Sequence, residues 1–92
     1  MLTAIVMIRT DPQRIPEVAQ EISELKGVSE VYSVTGDWDL IAMVRVQQHD
    51  DLAVVIADRL SKVEGVVETV TQIAFRMYSK LDLDDAFSLG MD

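Results

Sequence analysis

The stretch Val34-Thr35-Gly36-Asp37-Trp38-Asp39-Leu40 lies between two apolar runs, and its reading decides the fold. Gly36-Asp37 is a tight-reversal signal, because Gly and Asp tolerate the backbone conformations that hairpin turns demand. Its flanks, Val28 to Thr35 and Leu40-Ile41-Ala42-Met43-Val44-Arg45-Val46, therefore read as strands two and three. Around this hairpin the chain repeats itself. At an offset of 38, the spacing between Gly27 and Gly65, Gly27-Val28-Ser29-Glu30 falls on Gly65-Val66-Val67-Glu68. Val18, Ala19, Ile22, Ser23 and Leu25 fall on Ile56, Ala57, Leu60, Ser61 and Val63, and Ala4, Val6 and Ile8 fall on Ala42, Val44 and Val46. Two copies make a duplicated unit within one domain, since solenoids need about three or more.

Outward from the hairpin, each half supplies one more strand and one helix. Leu2 to Arg9 reads as strand one, ended by Thr10-Asp11-Pro12. Pro16 confines the next helix to a late start, because proline lacks an N–H and fits only the first turn. That helix should run to Leu25 or Lys26, burying Val18, Ala19, Ile22 and Leu25, with Gly27 in the left-handed position beyond it. In the second half Asp50 is placed to cap a helix whose buried stripe is Ala53, Ile56, Ala57, Leu60 and Val63, closed by Gly65. Val66 to Tyr78 reads as strand four, with Thr69, Thr71, Ile73, Phe75 and Met77 on one face and Val70, Gln72, Ala74, Arg76 and Tyr78 on the other.

Two tandem βαβ units with right-handed crossovers predict an α+β, ferredoxin-like βαββαβ fold: a four-stranded antiparallel sheet with both helices on one face. Strands one and three are nearly continuous apolar runs, so the helix-free face is apolar as well and needs a cover. The expected cover is a second copy, packed sheet on sheet about 10 Å apart as a dimeric α+β barrel. Residues 1–78 form this domain. Residues 79–92, an acidic tail with regularly spaced apolar residues, either dock as a short helix or fray.

A length of 92 residues allows one modest core that a partner surface often completes. The chain has no cysteine, which excludes disulfides and thiolate chemistry and suits a reducing cytoplasm. The first residues lack a basic leader, so no secretory signal is expected, and no apolar run reaches the ~18 residues of a membrane span. A net charge of −8, with the eight basic residues scattered, argues against direct nucleic-acid binding.

The hairpin motif Thr35-Gly36-Asp37-Trp38-Asp39-Leu40, with Leu25-Lys26-Gly27-Val28, Val63-Glu64-Gly65-Val66, Thr69-Val70-Thr71-Gln72-Ile73 and the βαββαβ order, resembles the ligand-binding and oligomerisation (RAM) domain of the Lrp/AsnC, or feast/famine, transcriptional regulators. The resemblance covers residues 1 to about 78. Its specific part is the Thr-Gly-x-x-Asp hairpin. Full-length members carry a helix-turn-helix domain before this point, whereas this sequence opens in strand one, so it looks like a stand-alone member. The resemblance implies homodimers that assemble further, often as a tetramer of dimers, with a small effector, commonly an amino acid, bound between dimers. It also implies action through assembly or through a DNA-binding Lrp/AsnC relative.

For an amino-acid ligand, Asp37 or Asp39 suits the ammonium, while turn N–H groups and the Thr71 hydroxyl suit the carboxylate. Gly36 lets the backbone approach a ligand. Trp38 either walls a pocket or anchors a neighbouring dimer, the second being favoured at a hairpin tip. Thr69 and Thr71 serve equally well as β-formers or as ligand contacts. His49 reads as a solvated loop residue, and Asp82-Leu83-Asp84-Asp85 lacks the Gly and Glu of a calcium loop, so neither metal nor cofactor is expected. The competing reading is a small enzyme of the dimeric α+β barrel class, a monooxygenase or isomerase, which needs a catalytic group between sheet and helices. That space is expected to be lined by Val, Ile, Leu and Ala, with no Ser nucleophile motif, Cys or second His, so a non-catalytic module is the preferred reading.

Overall fold

The computed structural model describes residues 1–80; the expected docking helix and the acidic Asp82-to-Asp85 cluster lie outside the described residues. Strands β1 (Leu2–Thr10), β2 (Val28–Ser33), β3 (Leu40–Val46) and β4 (Val66–Ile73) form one antiparallel sheet in the order β2-β3-β1-β4. Helix α1 (Ile15–Ser23), preceded by a 3-10 turn at Pro12–Arg14, connects β1 to β2. The second connection begins as α2 (His49–Leu52), continues as a π-helix over Ala53–Arg59 and ends in a 3-10 turn at Leu60–Lys62. This is the ferredoxin-like α+β fold expected from the duplicated sequence.

Alternation in β1 and β3 sorts their side chains cleanly. Ala4, Val6 and Ile8 of β1 and Leu40, Ala42, Val44 and Val46 of β3 are buried beneath the helices, against Val18 and Ile22 of α1 and Leu52, Val55, Leu60 and Val63 of the second connection. Ile5, Met7, Ile41 and Met43 point the other way and are only half-buried. Ile5 sits opposite Met43, and Met7 sits between Ile41 and Val70, so the helix-free face has an apolar centre. Ion pairs frame it: Arg9 with Glu68 at 3.7 Å, and Arg45 with Glu30 at 2.7 Å.

Five boundaries differ from the sequence reading, each for a physical reason. β4 stops at Ile73, not Tyr78, because its partner β1 runs out: Ile73 is opposite Ala4, and after the Ala74 N–H donates to the Thr3 carbonyl at 2.9 Å only Met1 and Leu2 remain. β2 ends at Ser33, opposite Leu40, so residues 34–39 form a wider loop than a two-residue turn. α1 ends at Ser23, and Leu25 is held in a following turn by donation from its N–H to the Ile22 carbonyl. The second connection is capped by Gln48, not Asp50; Gln48 and Asp51 satisfy one another's backbone N–H groups as a capping box. The π-helical register then shifts the buried stripe, leaving Ala53 and Ala57 exposed and burying Leu52 and Val55 in their place.

The hairpin loop as candidate functional site

The loop between β2 and β3 is fastened by one of its two aspartates. The Asp39 carboxylate accepts the Thr10 N–H through Oδ2 at 2.9 Å, and its own N–H donates to the Ile8 carbonyl at 3.0 Å. Its carbonyl accepts the Val34 N–H at 3.1 Å. Asp39 thus ties together the ends of β1, β2 and β3, a role of long sequence range that a hairpin reading does not reveal. Asp37, in contrast, is exposed and makes no hydrogen bond or ion pair among the described residues, so its carboxylate is open to a ligand.

Gly36 has a φ of +104°, which explains the glycine, and a β-carbon there would meet nothing within 4 Å. The backbone at the tip therefore faces open space. Trp38 is half-buried, with the Arg9 guanidinium carbon 4.7 Å from its ring centroid. That stacking is a cation–π contact and holds the indole at the rim of the helix-free face. Nε of Arg9 is shielded from water without a hydrogen-bond acceptor, its nearest carboxylate oxygen being that of Glu68 at 3.7 Å. Arg9 was not among the residues singled out from sequence. Strand alternation offered the only signal, placing it two residues beyond Met7 on the helix-free face, where β1 meets the loop.

Thr69 and Thr71 stand opposite Ile8 and Val6, whose side chains point toward the helices. Trp38 lies with Arg9 on the other side of the sheet. Within one protomer, therefore, Gly36, Asp37, Trp38 and Asp39 are together, and the two threonines are separated from Trp38 by the sheet. Further along the rim, Arg45 and Tyr32 both donate to Glu30, at 2.7 and 2.9 Å. Donation from Arg45, then from Tyr32, holds the Glu30 carboxyl below its ordinary range, and the same contact with Glu30 raises the Tyr32 phenol. Among the described residues no group of three or more His, Cys, Asp or Glu side chains could hold a metal ion. None of the helices described is long and apolar enough to cross a membrane.

This geometry has close counterparts. The Lrp/AsnC ligand binding domain matches residues 3–82. An uncharacterized HTH-type transcriptional regulator of Pyrococcus horikoshii is 40% identical over 78 residues, a match that takes in 79% of this chain and 51% of the regulator; the chain thus spans about half that relative's length. The crystal structure of TTHA0845 from Thermus thermophilus superposes with a TM-score of 0.82 at 42% identity, covering 87% of this chain and 100% of that one. A transcriptional regulator of Neisseria meningitidis solved as its L-Met complex has a TM-score of 0.76, covering 85% of this chain and 52% of its own, but at 15% identity it speaks for the fold alone. With its fold, its hairpin motif and a match along most of its length in agreement, the chain belongs to the Lrp/AsnC ligand-binding domain family.

Proposed function

We propose that this chain is a non-catalytic regulatory module that binds a small effector, an amino acid, at the 35–39 loop and couples its occupancy to assembly, acting through that assembly or through a DNA-binding Lrp/AsnC relative. One observation carries the reading: the loop presents an unpaired carboxylate, Asp37, next to a tryptophan that holds the Arg9 cation. An α-amino acid bears both charges, so it needs one anionic and one cationic or N–H-rich partner close together. Asp37 serves the ammonium; the exposed backbone around Gly36 and the Arg9 guanidinium serve the carboxylate. Asp39 holds the loop in shape, and Trp38 gives the site an apolar wall or a contact for a neighbouring dimer.

Assembly follows from the helix-free face. Ile5, Met7, Ile41, Met43 and Val70, with Tyr32 at 51% exposure, form a continuous apolar surface of a kind monomeric proteins rarely leave in water. A second copy would cover it sheet on sheet, in a homodimer open to further association. The non-catalytic reading is preferred to an enzyme because the matching relatives are named as transcriptional regulators.

Thermal shift against the proteinogenic amino acids, followed by calorimetry, tests the proposal. A true effector at ~100 Kd should stabilise the protein by about 2.7 kcal/mol. Asp37→Ala should weaken its affinity about tenfold or more, as expected for loss of a charge-assisted partner, without lowering the melting temperature of the free protein. Unchanged affinity in that variant would remove the loop as the site.

A further inference from the structure

At the far end of β3 from the hairpin, a cleft of about 390 Å³ opens between the π-helix and the turn after α1. The two ends of the seven-residue strand are about 20 Å apart, so this cleft is separate from the 35–39 loop. Three of the chain's eight basic residues, Lys26, Arg45 and Arg59, line it, Arg45 at a strand position whose side chain turns to the helix-free face, although the protein as a whole carries a charge of −8. Its apolar wall is Val46, Val54 and Val55. A small number of polar groups converging on an apolar wall, in a volume within the usual range of about 300–1,000 Å³, is the general pattern of a small-molecule site.

Two features set this place apart from its counterpart in the other half of the repeat. Beside Gly65, Arg14 closes the surface: its Nε donates to the Glu64 carbonyl at 3.4 Å and would stand 3.2 Å from a β-carbon on Gly65. A β-carbon would meet a valine at 2.7 Å in both places, Val18 at Gly65 and Val55 at Gly27, but beside Gly27 the nearest atoms all belong to Val55 and Val46 and the cleft opens there. The open half is also the one whose helix takes the rare i→i+5 hydrogen-bonding pattern, with Val54, Val55 and Arg59 of the π-helix lining the cleft; such segments occur frequently at functional sites.

The charges indicate what would fit. Arg45 is already paired with Glu30 at 2.7 Å, and Asp51, whose Oδ2 accepts the Gln48 N–H, brings a negative charge to the wall. Lys26 and Arg59 have no acceptor or carboxylate partner among the described residues. With Arg45 and Glu30 paired on the helix-free face, Asp51 against Lys26 and Arg59 leaves about one positive charge in the cleft, which suits a monoanion better than a phosphate dianion. We infer that this cleft is a second ligand site, independent of the hairpin loop, for a small aliphatic monocarboxylate: its carboxylate would bind Lys26 and Arg59, and its hydrocarbon body would lie on Val46, Val54 and Val55.

Isovalerate is the probe, with the neutral isovaleramide and inorganic phosphate as controls, each titrated into the ¹⁵N-labelled protein and followed by amide chemical shifts. Isovalerate should give saturable shifts at Gly27, Val54, Val55 and Arg59, with the 35–39 amides unmoved, and should bind more tightly than either control. Lys26→Gln and Arg59→Gln, both at exposed positions, should each weaken it roughly three- to tenfold while their melting temperatures stay at the parent value. The Asp37→Ala protein should bind isovalerate as the parent does, which separates this site from the loop. Equal binding of the amide or of phosphate, shifts confined to other residues, or parent-like affinity in both charge variants would overturn the assignment.

Discussion

Asp37 and Asp39, two residues apart, differ in their contacts, Asp37 exposed and Asp39 bonded to the Thr10 N–H, and substitution should separate them. Asp39→Ala leaves the Thr10 N–H without its acceptor and should destabilise the fold by an amount on the order of 1–3 kcal/mol, whereas Asp39→Asn keeps a carbonyl acceptor and should recover most of that loss in a thermal melt. Equal melting temperatures for Asp39→Ala and Asp37→Ala would contradict this division of roles. Glu30 offers a second test at the same scale. Its carboxyl is held below its ordinary range by Arg45 and then Tyr32, so the stability it contributes is fully present above the unfolded pKa and fades as pH falls through the lower folded value. Glu30→Gln should therefore lower stability slightly at neutral pH and flatten the acid side of the profile, so that variant and parent converge as pH falls below about 4.5. A parent-like acid profile in the variant would show that the contact contributes nothing to folding. The candidate site was legible in part: the Thr-Gly-x-x-Asp motif marked the loop, but the bond from Thr10 to Asp39 spans 29 positions and the Arg9–Trp38 stacking joins β1 to the loop. Tertiary pairing creates both, and no local pattern announces them.

Among the elements, the strands of the first half and the hairpin partners could be read from apolar runs bounded by turn residues, whereas the second helix could not be read from a 3.6-residue period. Its sequence Ala53-Val54-Val55-Ile56-Ala57 is apolar on every side, so periodicity does not fix which face is buried, and the i→i+5 register selects Leu52, Val55 and Leu60. The reach of β4 depended on where β1 begins rather than on its own β-rich composition. Two glycines next to these elements yield a comparison. Gly27 and Gly36 both have positive φ, +99° and +104°, but a β-carbon on Gly27 would lie 2.7 Å from Val55 Cγ2, while one on Gly36 would meet open space. Gly36→Ala should cost about 1–2 kcal/mol from backbone strain alone, and Gly27→Ala measurably more because the π-helix must also give way. Chemical denaturation of both variants checks the order; a Gly36→Ala loss as large as that of Gly27→Ala would show that packing of the π-helix against the α1–β2 turn is loose.

For the molecule as a whole, the duplication and the unbroken apolar character of β1 and β3 were enough to anticipate both a ferredoxin-like sheet and its uncovered face. The charged frame of that face was not foreseen, because Glu30–Arg45 and Arg9–Glu68 pair residues of neighbouring strands. Such a frame limits lateral spread of the apolar patch and would give a second copy a defined orientation. The effector proposal rests on that association, since a loop at the edge of the sheet influences assembly only if the sheet face is itself an interface. Sedimentation equilibrium of the parent protein and of Met43→Asp at micromolar concentration is the most direct test. The account predicts a dimer or larger species for the parent and a folded monomer for Met43→Asp, whose new carboxylate would be buried opposite Ile5 at the centre of the interface. A parent protein that sediments as a well-folded monomer, or a Met43→Asp variant that associates as the parent does, would contradict it.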